Sequence, residues 1–147
     1  MKRDIKTYSY IFILVVILYG AILVWIENEA ETCNEKYGIK YEVMASASTN
    51  IICQIRKSGS GSVKVRMSPF TVEKKTILGW VELKMAKGTL GRIEYLTLEE
   101  NETKDFGISL DSYYGELEQG TYRLKNAVCD EKEKVKGYCY IVFEVRE

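Results

Sequence analysis

The chain has no histidine among its 147 residues. That absence removes the commonest neutral-pH acid/base, the Ser-His and Cys-His nucleophile pairs, and the commonest transition-metal ligand. It has a single proline, and Lys+Arg and Asp+Glu both number 21, so the net charge is zero. No basic excess points to nucleic acid, and no acidic run points to a disordered tail. The four cysteines lack zinc-site spacing and no phosphate-binding loop is present, so no cofactor or metal is expected. Tyrosine, by contrast, is abundant at 11 residues. Aromatic side chains fit a pleated, half-buried surface, which suits a β-rich chain.

The N-terminus carries the strongest physical signal. Residues 1–9 contain Lys2, Arg3 and Lys6 against Asp4 alone, and residues 10–26, YIFILVVILYGAILVWI, are uncharged. As a helix, 17 residues span about 26 Å, near the short end of what crosses a bilayer. Tyr8 and Tyr10 mark one edge and Trp25 the other, where interfacial rings are favoured. Glu27, Glu29 and Glu31 follow, so the asymmetry predicts a cytoplasmic N-terminus and an external C-terminus. The competing reading is a cleaved signal peptide and a secreted product. Ala30 is then the last residue removed, but Asn28 is a poor partner at the second position. Both readings export the remainder.

The expected organisation is a cytoplasmic tail over 1–9, a transmembrane signal-anchor over 10–26, a polar stalk over 27–36 and one domain over 37–147. That domain reads as short strands at 39–44, 50–57, 62–66, 70–76, 80–85, 92–98, 103–110, 121–128 and 138–145. Residues 58–62, SGSGS, form a flexible turn, and the lone Pro69 ends a strand or sits at an edge. Seven to nine strands with turns every 8–12 residues describe an all-β sandwich. After the turn at Gly120, Tyr122 and Leu124 share one face, while Thr121, Arg123 and Lys125 share the other. Gly120, Tyr122 and Leu124 have the spacing of a tyrosine corner, in which the ring packs inward and its hydroxyl bonds upstream backbone.

Over residues 39–145 the chain resembles the bacterial immunoglobulin-like domains of cell-surface proteins. The phrase LTLEENETKDFGISL leads to a Tyr-Gly-x-Leu turn at 114–117, then to a Gly-x-Tyr-Arg-Leu strand at 120–124. An aromatic-rich last strand follows at 138–145, and an earlier pair with a Trp, TVEKKTILGWVEL, also fits. The resemblance implies an immunoglobulin-like β-sandwich on a bacterial surface. Such domains share no catalytic residues, so it implies no enzyme.

Cys33, Cys53, Cys129 and Cys139 all follow the anchor, in a compartment that permits disulfides. Three connectivities are open. The favoured one staples the last hairpin through Cys129–Cys139 and leaves Cys33–Cys53. It needs a bulge or an early strand end, because Cys129 has the parity of Arg123 and Cys139 that of Ile141. Cys53–Cys129 would mimic the immunoglobulin inter-sheet bond, but that cysteine normally falls two residues after the corner tyrosine, where this chain has Leu124. The third pairs Cys33–Cys129 with Cys53–Cys139, and four reduced thiols are the remaining alternative.

Three weaker features read as ordinary structure. The sequon at Asn101 is a chance match, the acidic cluster Glu99, Glu100, Glu102 and Asp105 is a solvated turn, and Tyr113 and Tyr114 are core packing rather than a sugar platform. The functional expectation is a non-catalytic interaction or structural module, with lipid contacted through the helix and a membrane protein or cell-wall polymer as partner. The alternative is an accessory subunit or sensor ectodomain, with Gly20 and Ala21 at a helix contact.

Overall fold

A computed structural model describes residues 2–86 and 91–146, with side chains described over 8–22 and from Asn34 onward. One long helix, α1 (Lys2–Lys36), precedes nine strands: β1 (Ile39–Ser46), β2 (Asn50–Lys57), β3 (Val63–Ser68), β4 (Thr71–Thr76), β5 (Gly79–Glu82), β6 (Glu94–Leu98), β7 (Thr103–Ser109), β8 (Gly120–Cys129) and β9 (Val135–Val145). A single turn of helix, α2 (Asp111–Tyr114), leads from β7 towards β8.

The strands form two antiparallel sheets. One has the order β1-β2-β7. The other is built on β8, which β9 flanks from Gly120 to Cys129. Along the opposite side of β8, β4 pairs with Tyr122–Lys125 and β3 with Val128–Cys129. β3 and β4 thus run as one strand broken at the cis Ser68–Pro69 bond, and β6 and β5 continue the sheet from them. At the break, the buried Asn126 donates from Nδ2 to the Arg66 carbonyl at 3.0 Å, replacing a lost ladder bond.

Period-2 alternation decides which residues fill the sandwich. Ile51, Cys53 and Ile55 of β2 face Val65 of β3, Val72 of β4, and Tyr122 and Leu124 of β8, all fully or nearly fully buried. The Tyr122 ring stacks on Phe143 at 5.7 Å. Burial of apolar side chains on this scale is the dominant stabilising term of the sandwich.

Four details go beyond the sequence expectations. The stretch 27–36, expected as a polar stalk, continues α1 as helical backbone. β9 begins at Val135, so the charged hairpin loop is shorter than expected. Lys57 is buried, and its ammonium donates to the carbonyls of Ser58, Gly59 and Ser60 at 2.6, 3.1 and 3.4 Å, which organises the Ser-Gly turn. Arg123, placed by alternation on the outward face, is only 5% exposed.

Candidate functional site

The region with the least ordinary exposure is the helix and the sheet edge it meets. From Tyr8 to Ile22 every residue of α1 is exposed, and all but Ser9 and Gly20 are apolar or aromatic. A helix that is apolar all round needs an apolar surrounding. Among the described residues no helix is long and apolar enough to cross a membrane. The rest of the expected span, 23–26 with Trp25, lies outside the residues whose side chains are described, as do Lys2, Arg3, Lys6, Glu27, Glu29 and Glu31.

The C-terminal end of α1 is fixed to β9. Asn34 donates from Nδ2 to the Tyr140 carbonyl at 2.7 Å and accepts the Tyr140 N–H on Oδ1 at 2.8 Å. Tyr37 donates its hydroxyl to the Lys136 carbonyl at 3.0 Å, and Ser46 donates to the Glu144 carbonyl at 2.6 Å. Side chains therefore occupy the edge of β9 at Lys136, Tyr140 and Glu144, where an open strand would invite pairing. Two residues past the helix end, Gly38 has φ of 63°, and its carbonyl accepts the Ser58 N–H at 2.7 Å. A Cβ there would lie 2.2 Å from the Ser58 oxygen, so only glycine fits.

On the outward face of the larger sheet, Arg123 Nε bonds the Glu73 carboxylate, and both residues are buried. The guanidinium lies 4.3 Å from the Tyr140 ring centroid and 4.7 Å from that of Trp80. A planar, weakly hydrated cation between two rings is a stable arrangement for arginine. Alternation alone assigned Arg123 to solvent. The only hint in the sequence was the aromatic content of its neighbours.

The residues singled out from the sequence are placed as follows. The Tyr122 hydroxyl donates to the Glu118 carbonyl at 2.8 Å, with Gly120 beginning the strand between them. Tyr114 donates to the Phe70 carbonyl at 2.9 Å and accepts the Val72 N–H at 3.2 Å, while Tyr113 packs edge-on against Phe70 at 5.0 Å. Both tyrosines are thus engaged with the β3–β4 break. The Glu99–Glu102 turn closes on itself, with Glu102 accepting the Glu99 N–H and pairing with Lys104. Among the described residues no cluster suited to a metal is present.

The cysteines do not pair as favoured. A bulge does occur between Val128 and Cys129, but the register sets Cys129 opposite Val135 and Cys139 opposite Asn126. Three residues of stagger along a strand is about 10 Å, beyond the reach of a disulfide. Cys129 and Cys53 carry no disulfide, so neither the hairpin staple nor a Cys53–Cys129 bond is present. The side chain of Cys33 lies outside the described residues. Cys139 points inward, 3.1 Å from the Tyr41 hydroxyl. Burial raises the Tyr41 phenol well above its ordinary value, with the Cys139 thiol adding to the shift. Burial also pushes the Cys53 thiol up to about 11, so its nucleophilic thiolate is scarce near neutrality.

Between the free margins of β6 and β7 lies an open groove of about 450 Å³, lined by Met67, Tyr95, Leu96, Phe106 and Tyr113 among others. Its lining is mixed, with Ser68, Glu94, Ser109 and Ser112 beside the apolar residues, and among the described residues no buried charged group lines it.

Comparison with known proteins assigns the architecture. The family model described as a bacterial Ig-like domain matches residues 33–138. No functionally curated protein matches the sequence. Among solved structures, a calcium-binding mutant of Bacteroides uniformis beta-glucuronidase 2 is 13% identical with a TM-score of 0.33; the match covers 73% of this chain and spans 13% of that one. The structural-genomics target SoR45 is 13% identical with a TM-score of 0.25, covering 74% of this chain and 78% of that one.

Proposed function

This chain belongs to the bacterial Ig-like domain family, and from that premise we propose that it is a non-catalytic surface module held at the outer face of the bacterial cell membrane by α1. The observation that carries the anchor is the exposure of an apolar helix on every face from Tyr8 to Ile22. Soluble monomers rarely present so large an apolar surface, and lipid covers it without a dedicated partner. The basic residues before the run and the acidic ones after it favour a cytoplasmic N-terminus. The sandwich then faces outward and meets a membrane protein or a cell-wall polymer. With zero net charge it has no electrostatic footprint for nucleic acid.

The non-catalytic reading is supported by the missing histidine and by burial of the Cys53 thiol. Two-carboxylate hydrolysis needs neither, so the reading has a direct test. Purified protein in detergent is incubated with peptidoglycan, polysaccharide and peptide substrates, and no turnover is expected. Turnover abolished by a single Asp or Glu substitution that leaves the fold intact overturns it. The anchor is tested with intact protoplasts. Added protease should remove the sandwich and leave an N-terminal membrane fragment, whereas release of a mature protein starting near Glu31 defeats the uncleaved anchor.

A second reading, an accessory subunit of a membrane complex, is favoured by Gly20. Nothing lies within 4 Å of a Cβ placed there, so the helix offers a close-approach surface at Gly20–Ala21. Recovery of one stoichiometric membrane protein with the full chain distinguishes this role from wall binding.

A further inference from the structure

We propose that the β4–β5 hairpin is a second membrane contact, its tip seated in the outer leaflet beside α1; this rests on the reading of α1 as a membrane anchor. The two strands are joined by Ile77 and Leu78, which are 84% and 79% exposed. Turn positions of this kind ordinarily carry Gly, Asn, Asp or Ser. Two large apolar side chains at a projecting tip satisfy no rule of turn chemistry and contribute nothing to the core.

Three observations point to lipid. The first is position. The last β4 residue paired with β8 is Lys74, so the hairpin projects beyond the sheet centre. Its tip meets α1 at Tyr19, whose hydroxyl donates to the Ile77 carbonyl at 2.5 Å. Tyr19 lies seven residues inside the uncharged run that ends at Ile26. At 1.5 Å per residue that is about 10 Å below the acidic margin, the depth that interfacial apolar elements reach.

The second is satisfaction of the backbone. In addition to the Tyr19 bond, the Thr76 hydroxyl donates to the Gly79 carbonyl at 2.8 Å and accepts the Leu78 N–H at 3.2 Å. Such a Thr turn also occurs in water, but pairing of this kind is what a turn in hydrocarbon requires. The third is the flank. Lys75 pairs across the hairpin with Trp80, whose half-buried ring also covers Arg123, and Lys84 lies two residues beyond Glu82. Basic and indole side chains just above an apolar tip suit the headgroup layer.

The test uses the full chain in vesicles of phosphatidylethanolamine and phosphatidylglycerol containing a photoactivatable lipid. Trypsin releases the tip as the peptide 76–84, the helix as 7–36, and a reference from the sandwich as 105–123. The expected result is labelling of both 7–36 and 76–84 at roughly fivefold or more over 105–123, as direct acyl contact requires. Ile77→Ser with Leu78→Ser should reduce the 76–84 signal to the reference level and leave 7–36 unchanged. A labelled helix with 76–84 at reference level overturns the hairpin contact and leaves the anchor standing. An unlabelled helix overturns the anchor itself, and the hairpin contact with it.

Discussion

Asn34 and Tyr140 are joined by two hydrogen bonds, one from the Asn34 amide to the Tyr140 carbonyl and one from the Tyr140 N–H to the Asn34 carboxamide oxygen. One side chain in the last turn of α1 thus acts as a single-residue strand along the edge of β9. The relationship makes the helix a fixed extension of the sandwich rather than a loose tether. Asn34→Ala should therefore cost about 1–2 kcal/mol, since it strands a donor and an acceptor together. Hydrogen exchange of the full chain in detergent checks it. The Tyr140 amide should lose protection in the variant, while amides in β2 keep theirs.

The Arg123–Glu73 pair lies under Tyr140 and Trp80. Removing one partner of a buried ion pair is costly, because burial makes each charge depend on its counter-charge. Glu73→Gln should destabilise by about 3 kcal/mol, whereas Glu73→Met combined with Arg123→Met should recover much of that loss. Denaturation midpoints of the two variants test the ordering, and a double variant less stable than the single one contradicts it.

Tyr122→Phe removes one buried hydrogen bond, to Glu118, and should cost about 0.5–1.5 kcal/mol. Tyr114→Phe removes two, to Phe70 and from Val72, at the break between β3 and β4. It should cost at least as much as Tyr122→Phe, the reverse of what ring exposure alone suggests. Urea denaturation of both variants decides this.

Cys53 has an ordinary thiol value of 9.0 that burial raises to about 11. The folded state therefore holds its proton more tightly than the unfolded state. That contribution is fully present below pH 9.0 and is lost as pH rises towards about 11. The raised Tyr41 phenol acts in the same direction above its own ordinary value of 10.0. Stability should fall through this alkaline window, and Cys53→Ala should flatten the fall. At pH 8, alkylation of native Cys53 should be slow and should accelerate on denaturation. A non-reducing peptide map should show no Cys129–Cys139 link, as the strand register requires.

The sequence by itself determined the elements. Alternation of apolar residues fixed nearly every strand of the sandwich, because a strand buried on one face must alternate. The uncharged run over 10–26 and the turn before Tyr122 are likewise local signals. The tertiary structure decided what depends on a second element. Alternation assigned Arg123 to solvent and gave Lys57 no partner for its charge, and each is buried by groups remote from, or folded back upon, its own strand: Glu73, Trp80 and Tyr140 for the first, and three turn carbonyls for the second. The cysteine pairing failed for a related reason. Spacing along the chain brings Cys129 and Cys139 close, but bulge position and register set their separation across the ladder, and neither is encoded at the cysteines themselves. The closeness of Tyr19 to Ile77, 58 residues apart in sequence, is of the same kind. It follows from where α1 leaves β9, and Asn34 and Gly38 hold that exit through contacts that no periodicity announces.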